Sequence, residues 1–128
     1  MSELTMTTPG NAGWIGHAGP DSAAAMKFYR DTIGWTIGDL PMQDGTSYPA
    51  IMIGQQPIGG FSPMPQSQGA WTIFVTVDDV DACVERAQKA GGTIVSEPAD
   101  MPGVGRVSTI ADPQGAQIAL ITYESMQK

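Results

Sequence analysis

Apolar residues recur at helical spacing in two places along the chain. Val80, Cys83, Val84 and Ala87 follow an i, i+3, i+4, i+7 stripe. Asp78 or Asp79 precedes that stripe as a cap, and Gly91-Gly92 follows it as a stop, which predicts a helix over 79–90. On the stripe, Cys83 reads as a small core residue rather than a nucleophile. Ala25, Phe28, Tyr29 and Ile33 share one face of a second predicted helix, over 21–33. Asp21 and Ser22 suit its start, and Gly34 sits where a left-handed C-terminal cap belongs.

Elsewhere the pattern is that of short strands. The run 71–77 (WTIFVTV) is rich in β-branched and aromatic residues, and 50–53, 93–95, 106–110 and 117–122 are similar runs bounded by Gly, Pro or Asp. Residues 14–18 form a weaker candidate, interrupted by Gly16. A shift of 57 positions superimposes Trp14 on Trp71, Asp21 on Asp78, Ala25 on Ala82, Gly34 on Gly91, and Thr36-Ile37 on Thr93-Ile94. With one deletion, Pro57-Ile58-Gly59 falls on Pro113-Gln114-Gly115 as a shared late turn. The chain therefore reads as one domain in which a β-α-β-β-β unit is used twice, over about 10–65 and 68–124. Neither unit encloses a core alone. The expected fold is α+β: paired units forming a curved mixed sheet with helices outside and a concave face, or cup, suited to a small ligand.

Composition narrows the partners. The 128 residues suit a single domain, and 41% hydrophobic against 15% charged reads as globular. Thirteen acids against six bases argue against a nucleic-acid or anionic-membrane partner. The longest apolar runs fall short of the ~18 residues a membrane helix needs, and the polar start MSELTMTTPGN has no signal-peptide character. A single cysteine excludes an internal disulfide and fits a reducing, cytoplasmic setting.

Candidate chemistry is sparse. His17 is the lone histidine, and alternation from Trp14 turns it away from any face that Trp14 lines. Arg106 is the one cation in the predicted sheet region. It stands either as an anchor for an anionic ligand group or as a salt-bridge partner of Glu97 or Asp100. Asp39, Asp44, Glu97 and Asp100 border strand ends, and Asp112 suits the turn before the last strand. Trp14, Met52, Phe74, Ala119 and Ile121 are candidates for the concave lining, with Gly16 and Gly60 leaving room; the alternative is that they fill a core.

Four stretches resemble the vicinal oxygen chelate superfamily, which comprises the glyoxalase, bleomycin-resistance and extradiol-dioxygenase proteins. They are Phe28-Tyr29 with Gly34-Trp35, the run 77–82 (VDDVDA) with Gly91-Gly92, Gly105-Arg106, and the run 112–116 (DPQGA). The likeness runs from about Trp14 to Ile121 and is greatest to a glyoxalase-like subgroup. It implies a paired βαβββ fold, a homodimer, and in some members a divalent metal held by His, Gln or Glu. The positions implied for those ligands are Trp14, a residue near Gly60, Thr72 (or Trp71), and Ala119. Neither Trp nor Ala offers a lone pair to a metal, so no metal or other cofactor is expected. The resulting expectation is a metal-independent binder of a small, largely apolar molecule. Its ligand contacts would be Trp14, Gly16, Met52, Gly60, Thr72, Phe74, Arg106, Ala119 and Ile121. The alternative is a lyase, isomerase or oxygenase acting on a small carbonyl or polyketide-like substrate.

Overall fold

The computed structural model describes residues 5–41, 45, 47–62 and 64–126; Asp44 lies outside them. Among the described residues the chain forms β1 (Trp14–Ala18), α1 (Ser22–Thr32), β2 (Thr36–Pro41), β3 (Ser47–Ile53) and β4 (Gln56–Phe61). It then repeats the order with β5 (Ala70–Thr76), α2 (Val80–Lys89), β6 (Thr93–Met101), β7 (Gly105–Ala111) and β8 (Gln117–Tyr123), and closes on a short 3-10 turn. This is the expected α+β fold, a βαβββ arrangement used twice. One compact unit runs from Trp14 to Trp71, and the other holds the remaining described residues.

Both helices are capped as their sequences predict. The Asp21 carboxylate accepts from the Ala24 amide at 3.1 Å, and that of Asp79 from the Ala82 amide at 3.1 Å. Gly34 and Gly91 take positive φ just beyond the two C-terminal caps. Phe28 and Ile33 are more than half exposed; α1 turns Ala25, Met26 and Tyr29 inward instead. The inward spacing is therefore i, i+1, i+4, and Phe28 lies about 100° around the helix from Tyr29.

Within the 14–71 unit the strand order is β2-β3-β4-β1, with β1 and β4 parallel and the other pairs antiparallel. The second unit repeats it as β6-β7-β8-β5, with β5 and β8 parallel. Its core is Val80, Val84 and Leu120, joined by Cys83, Val77, Ile94 and Ile110. Cys83 is thus the packing residue its stripe predicts. Gly10 and Asn11 bond the backbone of Thr76, which joins this stretch to the second unit.

Two details of the repeat are corrected. Pro57-Ile58-Gly59 is not a turn but part of β4. The counterpart of the turn at 112–116 is the two-residue link Gly54-Gln55, so the length difference lies in that hairpin. The 112–116 turn itself is organised by Asp112, whose carboxylate accepts from the amides of Gln114 (2.8 Å) and Ala116 (3.1 Å).

Candidate functional site

Strand alternation splits each unit into a helix-facing side and an opposite, helix-free side. In the 14–71 unit, register aligns Gly16 with Gly60, Gly60 with Ala50, and Ala50 with Gly38. This row crosses all four strands with nothing larger than a methyl group. Trp14 and Tyr48 stand on the same side, their ring centroids 6.3 Å apart and the rings tilted by 44°. A side chain at Gly60 would run into the Tyr48 ring and approach the Pro49 carbonyl oxygen to 2.7 Å, so the phenol lies directly over the glycine. Met52 borders the row, its Cγ lying 3.4 Å from where a Cβ on Gly38 would be.

Four of the expected contacts, Trp14, Gly16, Met52 and Gly60, are therefore brought together on one side of one sheet. Tyr48 is a fifth member that the sequence reading missed. Pro49 obscured the start of β3, which was placed at Ala50; continuing the alternation Met52, Ala50 back one step finds Tyr48. Burial holds the Tyr48 phenol above its ordinary pKa. Among the described residues, neither its hydroxyl nor the Trp14 indole N–H has a hydrogen-bond partner.

The opposite side of this unit carries His17. Its ring centroid lies 5.3 Å from Phe61, 5.1 Å from Trp71 and 6.2 Å from Tyr29 of α1. The Trp71 indole donates to the Tyr29 hydroxyl at 3.0 Å. His17 Nδ1 is buried with no hydrogen-bond partner among the described residues. Trp14 and Trp71 therefore occupy opposite sides of their strands' pleats, and the shift relating β1 to β5 is 58 rather than 57. This makes Thr72, and not Trp71, the counterpart of Trp14.

In the second unit, Phe74 pairs with Ala119 and Thr76 with Ile121. Their side, which also carries Thr72, is opposite to the side on which Leu120 packs against α2. Of the two expectations for Arg106, the salt bridge to Asp100 is the one found. Arg106 lies on the helix-facing side, where Nε donates to one Asp81 carboxylate oxygen at 2.7 Å and Nη1 to Asp100 at 3.0 Å. Nη2 completes a fork on Asp81 at 3.1 Å. The anion-anchor assignment is thereby corrected: one helix residue and one β6 residue satisfy the guanidinium, away from Phe74, Ala119 and Ile121. The hydrogen bonds of Arg106 also hold the Asp81 carboxyl below the ordinary carboxylate range.

The positions that the resemblance implies for metal ligands are Trp14, a residue near Gly60, Thr72 and Ala119. They supply one hydroxyl and no imidazole or carboxylate, a donor set unfit for a divalent ion. Among the described residues no three His, Cys, Asp or Glu side chains converge. Among the described residues no helix is long and apolar enough to cross a membrane.

Residues 12–120 match the model of the Glyoxalase/Bleomycin resistance protein/Dioxygenase superfamily, and the chain belongs to that family. A Mycobacterium tuberculosis protein named as a glyoxylase, CFP32, is 38% identical over 99 residues, covering 76% of this chain and 38% of that protein. The anthracycline biosynthesis protein DnrV of Streptomyces peucetius is 30% identical over 133 residues, covering 91% and 48%. The chain thus spans half or less of the length of these two relatives. Among solved structures, methylmalonyl-CoA epimerase of Streptomyces coelicolor, bound to 2-nitronate-propionyl-CoA, superposes with a TM-score of 0.63 at 19% identity. It covers 94% of this chain and 99% of that one. The Mycobacterium tuberculosis epimerase gives 0.59 at 19%, covering 96% and 93%. At that identity the likeness is one of fold.

Proposed function

We propose that this chain binds a small, flat, largely apolar molecule on the Trp14–Tyr48 side of its first unit, holding it without a metal. The observation that carries the reading is the Trp14–Tyr48 aromatic pair beside a row of Gly and Ala, because a planar ligand needs ring faces to stack on. That side carries no charged residue at Trp14, Gly16, Gly38, Tyr48, Ala50, Met52 or Gly60, which favours a neutral ligand. The name of DnrV supports a polycyclic ligand, since anthracyclines are fused planar ring systems. The proposed role is drug or metabolite sequestration and the proposed assembly a homodimer, as the resemblance suggests, with the cytoplasm as the location that a single cysteine suits. Phe74, Thr72, Ala119 and Ile121 are proposed as a further ligand-lining side in the second unit.

The test uses fluorene, a neutral tricyclic hydrocarbon, titrated by calorimetry. Trp14→Ala is expected to weaken binding about tenfold through lost stacking and burial, with the melting temperature nearly unchanged. Full affinity in the variant overturns the assignment.

The names of two relatives, a glyoxylase and a biosynthesis protein, favour a second reading: a superfamily lyase, isomerase or oxygenase acting on a small carbonyl or polyketide-like substrate. Such an enzyme needs a base at the ligand. His17 faces the helix, so the base would come from elsewhere.

A further inference from the structure

In the second unit, the side that carries Phe74 is covered toward the end of β5. Thr76, Ala119 and Ile121 share that side, and they are 0%, 1% and 4% exposed. Tyr123, next on that side of β8, is buried with them, and burial pushes its phenol up to about 12. A ligand arriving from solvent does not reach these side chains while they stay covered.

Part of the cover is the stretch before β1. The Thr76 hydroxyl donates to the Met6 carbonyl, which puts residue 6 on the same side of β5. The stretch folds back on itself as a turn: the Thr8 amide donates to the Thr5 carbonyl at 3.1 Å, and Asn11 Nδ2 reaches the same carbonyl at 2.8 Å. At one end it is fixed to the sheet by two backbone bonds, Gly10 N–H to the Thr76 carbonyl (2.7 Å) and Thr76 N–H to the Asn11 carbonyl (3.0 Å). At the other, among the described residues, the Thr76 hydroxyl alone hydrogen-bonds it to the sheet. Gly10, with φ at +89°, stands between the two attachments as a hinge.

We propose that residues 5–9 form a strap over the second unit's ligand-lining side, and that a ligand reaches Ala119 and Ile121 only when Met6 leaves Thr76. This rests on the reading of that side as ligand-lining and adds how access to it is controlled. The closed strap lowers apparent affinity by the fraction of chains that are open.

The experiment titrates fluorene into Trp14→Ala protein, in which the first unit's site is weakened; adding Phe74→Ala identifies the remaining binding that belongs to the second unit. Thr76→Val keeps the side chain's shape and removes the hydroxyl, so that Phe74-dependent binding is expected to tighten about three- to tenfold. Asn11→Ala frees the turn from the Thr5 carbonyl without touching the ligand side, and is expected to act in the same direction; it decides the matter alone if Thr76→Val does not fold. Unchanged or weaker binding in Asn11→Ala overturns the proposal, and a gain confined to Thr76→Val does so too, because it assigns the effect to the added methyl group. Absence of any Phe74-dependent binding in every variant overturns the proposal and the second unit's lining together, leaving the first unit's site standing. Failure of fluorene to bind the wild type overturns the flat-ligand reading and the proposal with it.

Discussion

Arg106 is held by two carboxylates on the helix-facing surface, and that pairing sets how Asp81 titrates. Its folded-state pKa is depressed, so Asp81 favours the folded state above its ordinary carboxylate value, and the benefit is lost as pH falls through the lowered value. Arg106→Met is therefore expected to return the Asp81 carboxyl toward its ordinary range, read by NMR titration. The stability difference between variant and wild type should shrink as the solution is acidified. Fluorene binding should not change, since the guanidinium is tied to α2 and β6. A variant that lost ligand affinity would restore Arg106 to the site. At this scale the sequence separated the two sides of β1 correctly, because His17 and Trp14 sit on one strand and parity alone decides. It did not separate Arg106 from Ala119, because they lie on different strands. Only the pairing of Thr109 with Ala119 and Arg106 with Thr122 fixes which parity of β7 matches which of β8.

The parallel contact between β1 and β4 depends on having no side chain at Gly59. A Cβ there would collide with the Ile15 carbonyl oxygen and lie 2.6 Å from Ile15 Cγ1, and the backbone of a paired strand has no freedom to give way. Gly59→Ala is expected to destabilise the protein by about 1–3 kcal/mol, as overpacking does. Gly69→Ala is its control: the nearest atom there is 4.0 Å away and φ is not positive, so its effect should stay within about 0.5 kcal/mol. Urea unfolding of the two variants checks both, and equal stabilities would show that β1 and β4 are not packed in this register. The same glycines explain what was hard to read among the elements. The helices and the β-branched strands announce themselves through stripe, cap and composition. In contrast, β4 (QPIGGF) combines a proline and two glycines, a poor strand by propensity that exists because β1 and β3 flank it. β2 (TIGDLP) was visible only through its likeness to the start of β6, for the same reason.

At the scale of the whole chain, the family fold is present, and the proposed site rests on ring faces rather than on metal donors. Trp14, Gly60, Thr72 and Ala119, the positions the resemblance implies for metal ligands, carry no imidazole or carboxylate, and the single histidine faces the helix. Ring faces without charged donors suit holding a neutral molecule better than polarising one. Thermal melts with nickel, cobalt, zinc, iron and manganese test that reading directly. An ion that binds only the folded state adds about 2.7 kcal/mol of stability at a hundred times its dissociation constant. In a domain of this size that is a rise of roughly 10 °C or more. The expected result is no rise with any of the five ions, alongside a rise with fluorene that is reduced in Trp14→Ala. A saturable rise with one metal at one ion per chain would mean that donors other than these four positions form the centre, and the enzymatic reading would then take precedence over sequestration.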